Sequence, residues 1–452
     1  MHSSPDFRRE PISQLIRKIA LPSSVGMIFN TLFNVVDTYF AGMISTTALA
    51  ALSLSFPVFF IILSVGMGMG TGTTALISQS LGAGENDKAT SYGFQSITFS
   101  LVNSIILAFI GWLAAPSLFR LLGANDTYLD IALQYMNIIL VGVIFFLGNS
   151  ALNAMLNSRG DTKTFRNFLI AGFFLNVILD PWLMFGGLGI PALGIKGVAV
   201  STIFIQALGT LYLLFTIRKK RLFDGAKLHD FYPRSNIFAD LFKQGFPASL
   251  NMFSIAVGIF IITFFAAKFG KEAVAAYGIA TRIEQLALLP TIGLSVSALT
   301  ITAQNLGAGL PERIFLSWKL NIAYGLAIMT LGIAGVAIFA GPLMNLFTSD
   351  IQVIEIGKEY LGIAVLFFFS YIFLNISVST LQGMKLPYYA IFVGSYRQFL
   401  VPYPLFLLLA VDLGWGTKGI WWGIFIANWS AAIFTVIYTH RKIGKLLPTG
   451  RT

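Results

Sequence analysis

Long apolar segments separated by short polar ones run through nearly the whole 452-residue chain. About 20 mostly apolar helical residues cross a bilayer core, and each segment is at least that long. The pattern therefore predicts an all-α polytopic membrane protein with twelve transmembrane helices. The predicted spans are 13–43, 48–80, 88–115, 127–158, 163–187, 193–216, 237–268, 273–305, 312–346, 351–382, 387–411 and 417–442.

The composition agrees with this class and excludes several others. The chain is 56% hydrophobic and 11% charged, whereas soluble domains are about 45–50% apolar and about 25% charged. Without cysteine there are no disulfides, thiolate metal sites or cysteine nucleophiles. None of the three histidines lies in the interior of an apolar segment, His440 being at the end of the last one, so we expect neither a histidine metal site nor any other bound cofactor.

The net charge of +11 indicates topology rather than a nucleic-acid partner, because lysine and arginine cluster between the spans. They are concentrated in the N-terminal segment and in alternate connections, most densely in RKKR at 218–221. Positively charged connections stay in the cytoplasm, and an even number of spans puts both ends on one side. We therefore expect a multi-pass protein of the bacterial inner (plasma) membrane with both termini cytoplasmic.

Two motifs recur at one constant offset along the chain. QSLGAG at 79–84 returns as QNLGAG at 304–309, and LPSS at 21–24 returns as FPAS at 246–249. Collinear matches at one offset indicate an internal duplication. With six spans each, the copies keep the same orientation, as in parallel-repeat transporters.

The duplication predicts two six-helix lobes at 1–216 and 237–452, joined by a cytoplasmic linker at 217–236. A cavity between two such lobes is the expected place for a substrate.

Two acidic residues inside predicted spans of the first lobe have no acidic counterpart at the equivalent positions of the second repeat. Asp37 is the only charge between Ile19 and Met43, and Asp180 lies in the fifth span. A carboxylate at the centre of a span costs about 2.5–3.5 kcal/mol, so such residues are functional candidates. At about 1.5 Å per residue, five polar groups fall in one layer about 9–13 Å deep. They are Asp37, Tyr135, Asn176, Asp180 and Thr202.

This layer contains the ligand types that suit a monovalent cation or a proton. Pro181 adds to it, because a proline inside a helix leaves the carbonyl four residues earlier, that of Val177, without its partner. Two carboxylates in apolar surroundings also titrate as a unit. The alternative is that the two aspartates only hold helices together.

Further residues are candidates for a substrate cavity or for hinges. Asn30 and Asn34 share a helical face with Asp37, although asparagines in spans also form simple interhelical hydrogen bonds. Arg282, Glu284 and Arg397 can form a structural ion pair or contact substrate. The Gly-rich 66–74 segment lacks the context of a nucleotide-binding loop, which favours close helix packing. The cavity candidates are Asn30, Asn34, Met67, Asn149, Asn153, Met184, Arg282 and Glu284, and the hinge candidates are Pro22 and Pro181.

The chain as a whole resembles the multidrug and toxic compound extrusion (MATE) family, in particular its DinF-like branch. The resemblance rests on the two six-span repeats, Pro22 with Asp37 in the first span, the repeated QxLGAG motif, NSRGDTK at 157–163, and Asn176 with Asp180.

It implies a monomeric antiporter, not an enzyme, that exports amphipathic or cationic drugs or toxic metabolites in exchange for protons or sodium ions. It also implies that Asp37, Asn176, Asp180 and Thr202 bind the coupling cation, possible Na⁺ included, with Tyr135 beside them. The first span is then expected to bend near Pro22 when the acidic cluster is protonated.

Three other functions fit parts of the pattern. A lipid-linked oligosaccharide flippase of the same superfamily would need a basic cavity for pyrophosphate, whereas the first lobe is acidic. An intramembrane aspartyl protease would also use two aspartates, but its GxGD element is absent. A channel would leave the internal duplication unexplained.

Overall fold

A computed structural model describes residues 5–121, 123–124, 126–187, 189–222 and 227–447. These residues are almost entirely helical. The α-helices are α1 (Ile12–Ile44), α2 (Thr46–Gly82), α3 (Asn86–Leu121), α4 (Asp126–Val141), α5 (Val143–Asn157), α6 (Lys163–Phe185), α7 (Ile195–Lys219), α8 (Ser235–Ala267), α9 (Lys271–Gly307), α10 (Pro311–Asn345), α11 (Ile351–Gly383), α12 (Tyr388–Ser395), α13 (Pro402–Phe406) and α14 (Thr417–Gly444).

The prediction of twelve spans in an all-helical fold is confirmed. In the described chain, ten helices are each long and apolar enough to cross a membrane, and α4 with α5 form one further span, bent by 43°. The eleventh predicted span, 387–411, is divided among α12, α13 and two π-helical turns at Tyr396–Leu400 and Leu407–Asp412.

Both broken spans have local causes in the sequence. Gly142 lies between α4 and α5, where a β-carbon would overlap the side chain of Ile203 on α7, so the glycine lets α7 pack closely against the bend. In the eleventh predicted span Pro402 and Pro404 have no N–H to donate, which disrupts regular α-helical bonding. The hinge candidates Pro22 and Pro181, by contrast, lie inside continuous helices.

The described residues form two compact units. One consists of Val25–Ser249, and the other of Pro5–Ser24 together with Leu250–Thr452. The first half of α1 thus belongs to the second unit and the first half of α8 to the first unit. The predicted lobes at 1–216 and 237–452 follow the repeat in the sequence, whereas these units follow packing, and they differ by those two half-helices.

Each unit has its own hydrophobic core. The core of the first unit includes Phe119, Leu147 and Met155. The core of the second includes Phe265, Phe367 and Trp421. Each unit therefore packs around a separate set of buried apolar side chains.

Equivalent glycines fix the two exchanged half-helices. A β-carbon on Gly68 of α2 would overlap Ser249, with the Ser249 Cα only 2.7 Å away. A β-carbon on Gly293 of α9 would overlap Ser24, with the Ser24 nitrogen at 2.9 Å. Gly68 and Gly293 are separated by the same offset as the repeated motifs, and so are Ser24 and Ser249. The close packing predicted for 66–74 is therefore present, and the second repeat uses the same contact.

The described part of the predicted linker at 217–236, which excludes 223–226, is fixed to the first unit. The Gln95 side-chain amide on α3 donates to the carbonyls of Asp230 and Tyr232, at 2.7 Å each. The Gln95 carbonyl oxygen accepts from the Arg234 backbone N–H at 2.9 Å. This part of the linker is therefore held in place and is not a free tether.

Asp161, in the connection between α5 and α6, predicts a pH-dependent contribution to stability. Burial acts to raise the pKa of Asp161, but hydrogen bonds from Lys220 and Thr164 outweigh it and lower the pKa. Because the folded pKa is depressed, this contribution is present above the ordinary Asp value of about 3.9 and is lost as pH falls through the folded pKa.

Asp161→Asn should therefore lower the unfolding temperature of the purified protein at pH 7, corresponding to about 0.2–1 kcal/mol. The difference from wild type should shrink towards pH 3. Thermal unfolding across that pH range checks it, with the exposed Asp87→Asn as a control. A deficit of the same size at every pH would contradict this assignment.

Candidate functional site

Four helices of the first unit, α1, α4, α6 and α7, bring the predicted acidic layer together. The Asn176 Nδ2 on α6 donates to Asp37 Oδ1 on α1 at 2.8 Å and to Asp180 Oδ1 at 2.9 Å. Asn176 and Asp180 are four residues apart, so they lie on the same face of α6. All three side chains are buried. One amide therefore bridges two carboxylates that come from helices far apart in the sequence.

Thr202 and Tyr135 complete the predicted set. The Thr202 hydroxyl on α7 lies 3.4 Å from Asp37 Oδ2 and 3.0 Å from the Val198 carbonyl of its own helix. Tyr135 on α4 is buried and close enough to interact electrostatically with both aspartates. The structure thus places all five predicted residues in one cluster.

The cluster also contains buried oxygens without a hydrogen-bond partner among the described residues. They are Asn176 Oδ1, Asp180 Oδ2 and Ser201 Oγ, of which the last two belong to side chains close enough to interact with each other. Buried polar atoms normally have partners, so these oxygens are available to a proton or a small cation. The sequence reasoning missed Ser201. Ser201 shares one face of α7 with the buried residues Val198, Thr202 and Ile205. Their spacing along the sequence was the signal that could have identified it.

Pro181 follows Asp180 directly without ending α6, which continues to Phe185. The missing N–H leaves the Val177 carbonyl without its normal helical donor. Val177 is itself partly exposed, at 39%. This free carbonyl belongs to the same helix as Asp180 and lies one turn before it.

The remaining cavity candidates of the first unit have different surroundings. Asn34 is exposed, and its amide donates to the Asn30 carbonyl of the same helix at 2.8 Å. Met67 is exposed, whereas Met184 belongs to the hydrophobic core. The residues near Asp37 on α1 thus do not all face its buried cluster.

Asn149 forms a polar contact between helices. Its amide donates to Gln206 Oε1 at 2.8 Å, and its carbonyl oxygen accepts from the Thr210 hydroxyl at 2.8 Å. Asn153, one turn further along α5, has a buried Oδ1 with no partner among the described residues. Asn149 is thus fully engaged, while Asn153 is open to a ligand.

In the second unit, Glu284 is buried and accepts hydrogen bonds from the hydroxyls of Tyr360 and Tyr371, the latter at 2.8 Å. Arg282 is exposed. The Arg397 guanidinium lies over the Tyr371 ring, 5.3 Å from its centroid. Glu284 is therefore held by tyrosines and not by the ion pair that the sequence left open.

Comparison with known proteins identifies the family. The MatE family model matches twice, at residues 22–182 and 247–405, which reproduces the internal repeat. An FAD transporter of Shewanella oneidensis is 32% identical, with 76% of each chain covered. A probable multidrug resistance protein NorM of Thermotoga maritima is 30% identical over 84% of this chain and 80% of its own length.

A solved structure shows the same fold. A MATE protein crystallised in the bent conformation superposes with a TM-score of 0.90 at 25% identity and covers 97% of both chains. The two family matches extend over both repeats and include the residues of the acidic cluster up to Asp180. This chain therefore belongs to the MatE family of multi-pass membrane transporters.

Proposed function

We propose that this chain is an efflux antiporter that exchanges a small amphipathic or cationic organic compound for protons or sodium ions by alternating access. One observation carries the proposal: Asn176 bridges two buried carboxylates beside oxygens that have no partner among the described residues. We also propose that the protein is a monomer in a bacterial inner membrane. Both termini would then lie in the cytoplasm, as the arrangement of basic residues predicts. Assignment to the DinF-like branch stays a prediction.

The donor set suits a singly charged ion. The donor atoms are two carboxylates, an amide oxygen and the hydroxyls of Ser201 and Thr202. All are hard oxygen ligands, which alkali cations and protons prefer to soft sulfur ligands. Ionised, Asp37 and Asp180 attract a cation. Protonation or Na⁺ binding neutralises them and removes that attraction. One charge moving through 100 mV supplies about 2.3 kcal/mol, which is enough to bias two conformations.

Helix α1 carries Asp37 of the acidic cluster and belongs partly to each unit. Asp37 lies in the part of α1 that belongs to the first unit, and Pro22 lies in the part that belongs to the second. A change of charge at Asp37 can therefore act on the helix segment next to Pro22. The MATE relative in a bent conformation supports a hinge in this family of structures.

A second candidate substrate is a flavin nucleotide. The Shewanella relative is an FAD transporter. FAD is anionic, so the acidic cluster of the first unit would not attract it. Arg282 and Arg397 in the second unit are the basic side chains that would suit its phosphates. The flippase alternative is not favoured by these relatives, which are named for drug resistance and FAD transport.

Efflux from proteoliposomes tests both the exchange and the substrate. Vesicles are loaded with a cationic dye or with FAD, and the outside is then made acidic or rich in Na⁺, with a K⁺ gradient as control. We expect faster dye efflux under the proton or the sodium gradient and no effect of K⁺. Equal rates under all three gradients, for both loaded compounds, would overturn the proposal.

A further inference from the structure

Arg397 is the one charged residue of the eleventh predicted span, 387–411. It lies nine residues after Tyr388, where α12 begins, which is about 14 Å along the helix. A bilayer core is about 30 Å thick, so this guanidinium lies about halfway through it. Ionised side chains at that depth are costly and are functional candidates by default. The proposed exchange at the acidic cluster of the first unit does not use it.

The contacts of the Arg397 guanidinium leave most of its N–H groups without an acceptor. It lies over the Tyr371 ring of α11, 5.3 Å from the ring centroid. Its Nη1 lies 3.5 Å from Asn428 Oδ1 on α14, beyond the usual hydrogen-bond range of about 2.7–3.2 Å. It forms no ion pair with a carboxylate of the described residues. A buried charge normally has a partner, so this one is suited to an added anion.

Glu284 on α9 acts electrostatically on Arg397 but is not that partner. Its carboxylate accepts hydrogen bonds from the hydroxyls of Tyr360 and Tyr371. Tyr371 thus contacts both charged groups, with its hydroxyl on the acid and its ring against the guanidinium. Glu284 therefore offsets part of the charge of Arg397 at a distance, and the planar face of N–H donors is left to another anion.

Amide side chains lie next to the segment that carries Arg397. Gln398 follows it in the π-helical turn Tyr396–Leu400, and a β-carbon on Gly258 of α8 would lie only 2.1 Å from Gln398 Oε1. One turn earlier, a β-carbon on Gly394 would lie 2.5 Å from Asn251 Oδ1. The two glycines therefore give both amides room between α8 and this broken span. Amide N–H groups donate to oxyanions, and π-helical turns are frequent at functional sites.

The internal repeat adds an independent observation, because the counterpart span carries the opposite charge. The fifth span of the first repeat corresponds to the eleventh span of the chain. Within 167–185 of that fifth span the only charged residue is Asp180, which belongs to the acidic cluster. The duplicated scaffold therefore presents a carboxylate in one unit and a guanidinium in the other, and the second unit attracts anions where the first attracts cations.

The depth of Arg397 indicates where such an anion comes from. Guanidinium groups bind carboxylates and phosphates through two parallel hydrogen bonds. The phosphates of lipids lie beyond the hydrocarbon core, about 15 Å from its middle, so they do not reach a group halfway along the span. An organic solute that a transporter carries through the membrane does reach it.

We propose that Arg397, with the amides of Asn428 and Gln398 beside it, binds the carboxylate or phosphate group of an organic substrate. The inference rests on the proposed function, because it names the chemical class of compound that the antiporter exports. The two oxygens of the anion take the N–H groups that now have no acceptor, and the Tyr371 ring holds the guanidinium in one plane for them.

Equilibrium binding to the purified protein tests this site with two pairs of compounds. Flavin mononucleotide is compared with riboflavin, which lacks only the phosphate, and carboxytetramethylrhodamine-type dye with its methyl ester, which masks the carboxylate. Wild type should bind the anionic member of at least one pair about 10–150-fold more tightly, and the pair that shows it distinguishes phosphate from carboxylate. Arg397→Gln should lose that preference without changing the affinity for riboflavin or the ester. Arg441→Gln is the control, since Arg441 is exposed on α14 of the same unit.

Asn428→Asp tests the same site even if Arg397→Gln fails to fold. Its new carboxylate takes the place of the amide whose Oδ1 lies 3.5 Å from Arg397 Nη1, so it pairs with the guanidinium from within the protein. This variant should therefore keep or raise the unfolding temperature while losing the preference for the anionic compound.

Equal affinities within both pairs in wild type, or a preference that survives both substitutions, would overturn the anion site while leaving the antiporter intact. Absence of ion-driven efflux in wild type would overturn the proposed function instead. The binding comparison needs no gradient, so it would still decide whether Arg397 receives an oxyanion.

Discussion

Asp37→Asn should abolish ion-driven efflux while leaving the protein folded. Asparagine keeps the shape of aspartate. Its carbonyl oxygen can still accept from the Asn176 amide, which lies 2.8 Å from Asp37 Oδ1 in the wild type. What is lost is one of the two negative charges. A hydrogen bond to a charged group contributes about 1.5–3 kcal/mol, so affinity for the coupling cation should fall about 10–150-fold.

The measurement is dye efflux under the effective gradient, together with binding of the coupling ion to the purified protein. Asp130→Asn is a matched control, since Asp130 is exposed on α4 of the same unit. Asp180→Asn should reproduce the loss, because Asn176 holds both acids at once. Wild-type efflux in Asp37→Asn would show that the cluster is a polar contact between helices and nothing more.

Gly293→Ala and Gly68→Ala should both destabilise the protein markedly. In each, the added methyl group meets backbone atoms of a half-helix from the other repeat, with Ser24 N at 2.9 Å and Ser249 Cα at 2.7 Å. Overpacking of this kind costs about 1–3 kcal/mol. The intrinsic preference of a helix for alanine returns about 0.5–1 kcal/mol, so a net loss remains.

The same substitution elsewhere separates packing from helix propensity. A β-carbon at Gly278 of α9 or at Gly148 of α5 would meet no other atom within 4 Å. Gly278→Ala and Gly148→Ala should therefore leave the unfolding temperature in detergent unchanged or raise it slightly. If all four variants behaved alike, the close approach at Gly68 and Gly293 would have no energetic weight.

Much of the fold was predictable because the membrane imposes a simple rule. Long apolar segments must form helices, since unpaired backbone groups are costly in lipid, and the spans followed from that. The offset between QSLGAG and QNLGAG likewise predicted the duplication that the two family matches reproduce. The break in the eleventh predicted span was missed although Pro402 and Pro404 lie inside it.

The sequence predicted how deep the candidate site residues lie along their helices, but not which way their side chains face. Counting residues along helices placed Asp37, Asn176 and Asp180 in one layer, and their convergence depended on helix rotations that the sequence does not encode locally. The same limit explains Ser201, which lies beside the cluster unrecognised, and Asn34, which is exposed although it lies one turn from Asp37. Glu284 became interpretable only once Tyr360 and Tyr371 were seen beside it.

The exchanged half-helices also affect how the protein is made. The first unit extends to Ser249, well past the six spans of the first repeat. A nascent chain whose α7 has just entered the membrane still has an open groove along Gly68 and Gly72, because the α8 segment that fills it has not been synthesised. Completion of the amino-terminal half thus waits for translation of the carboxy-terminal half, and the two repeats must mature together.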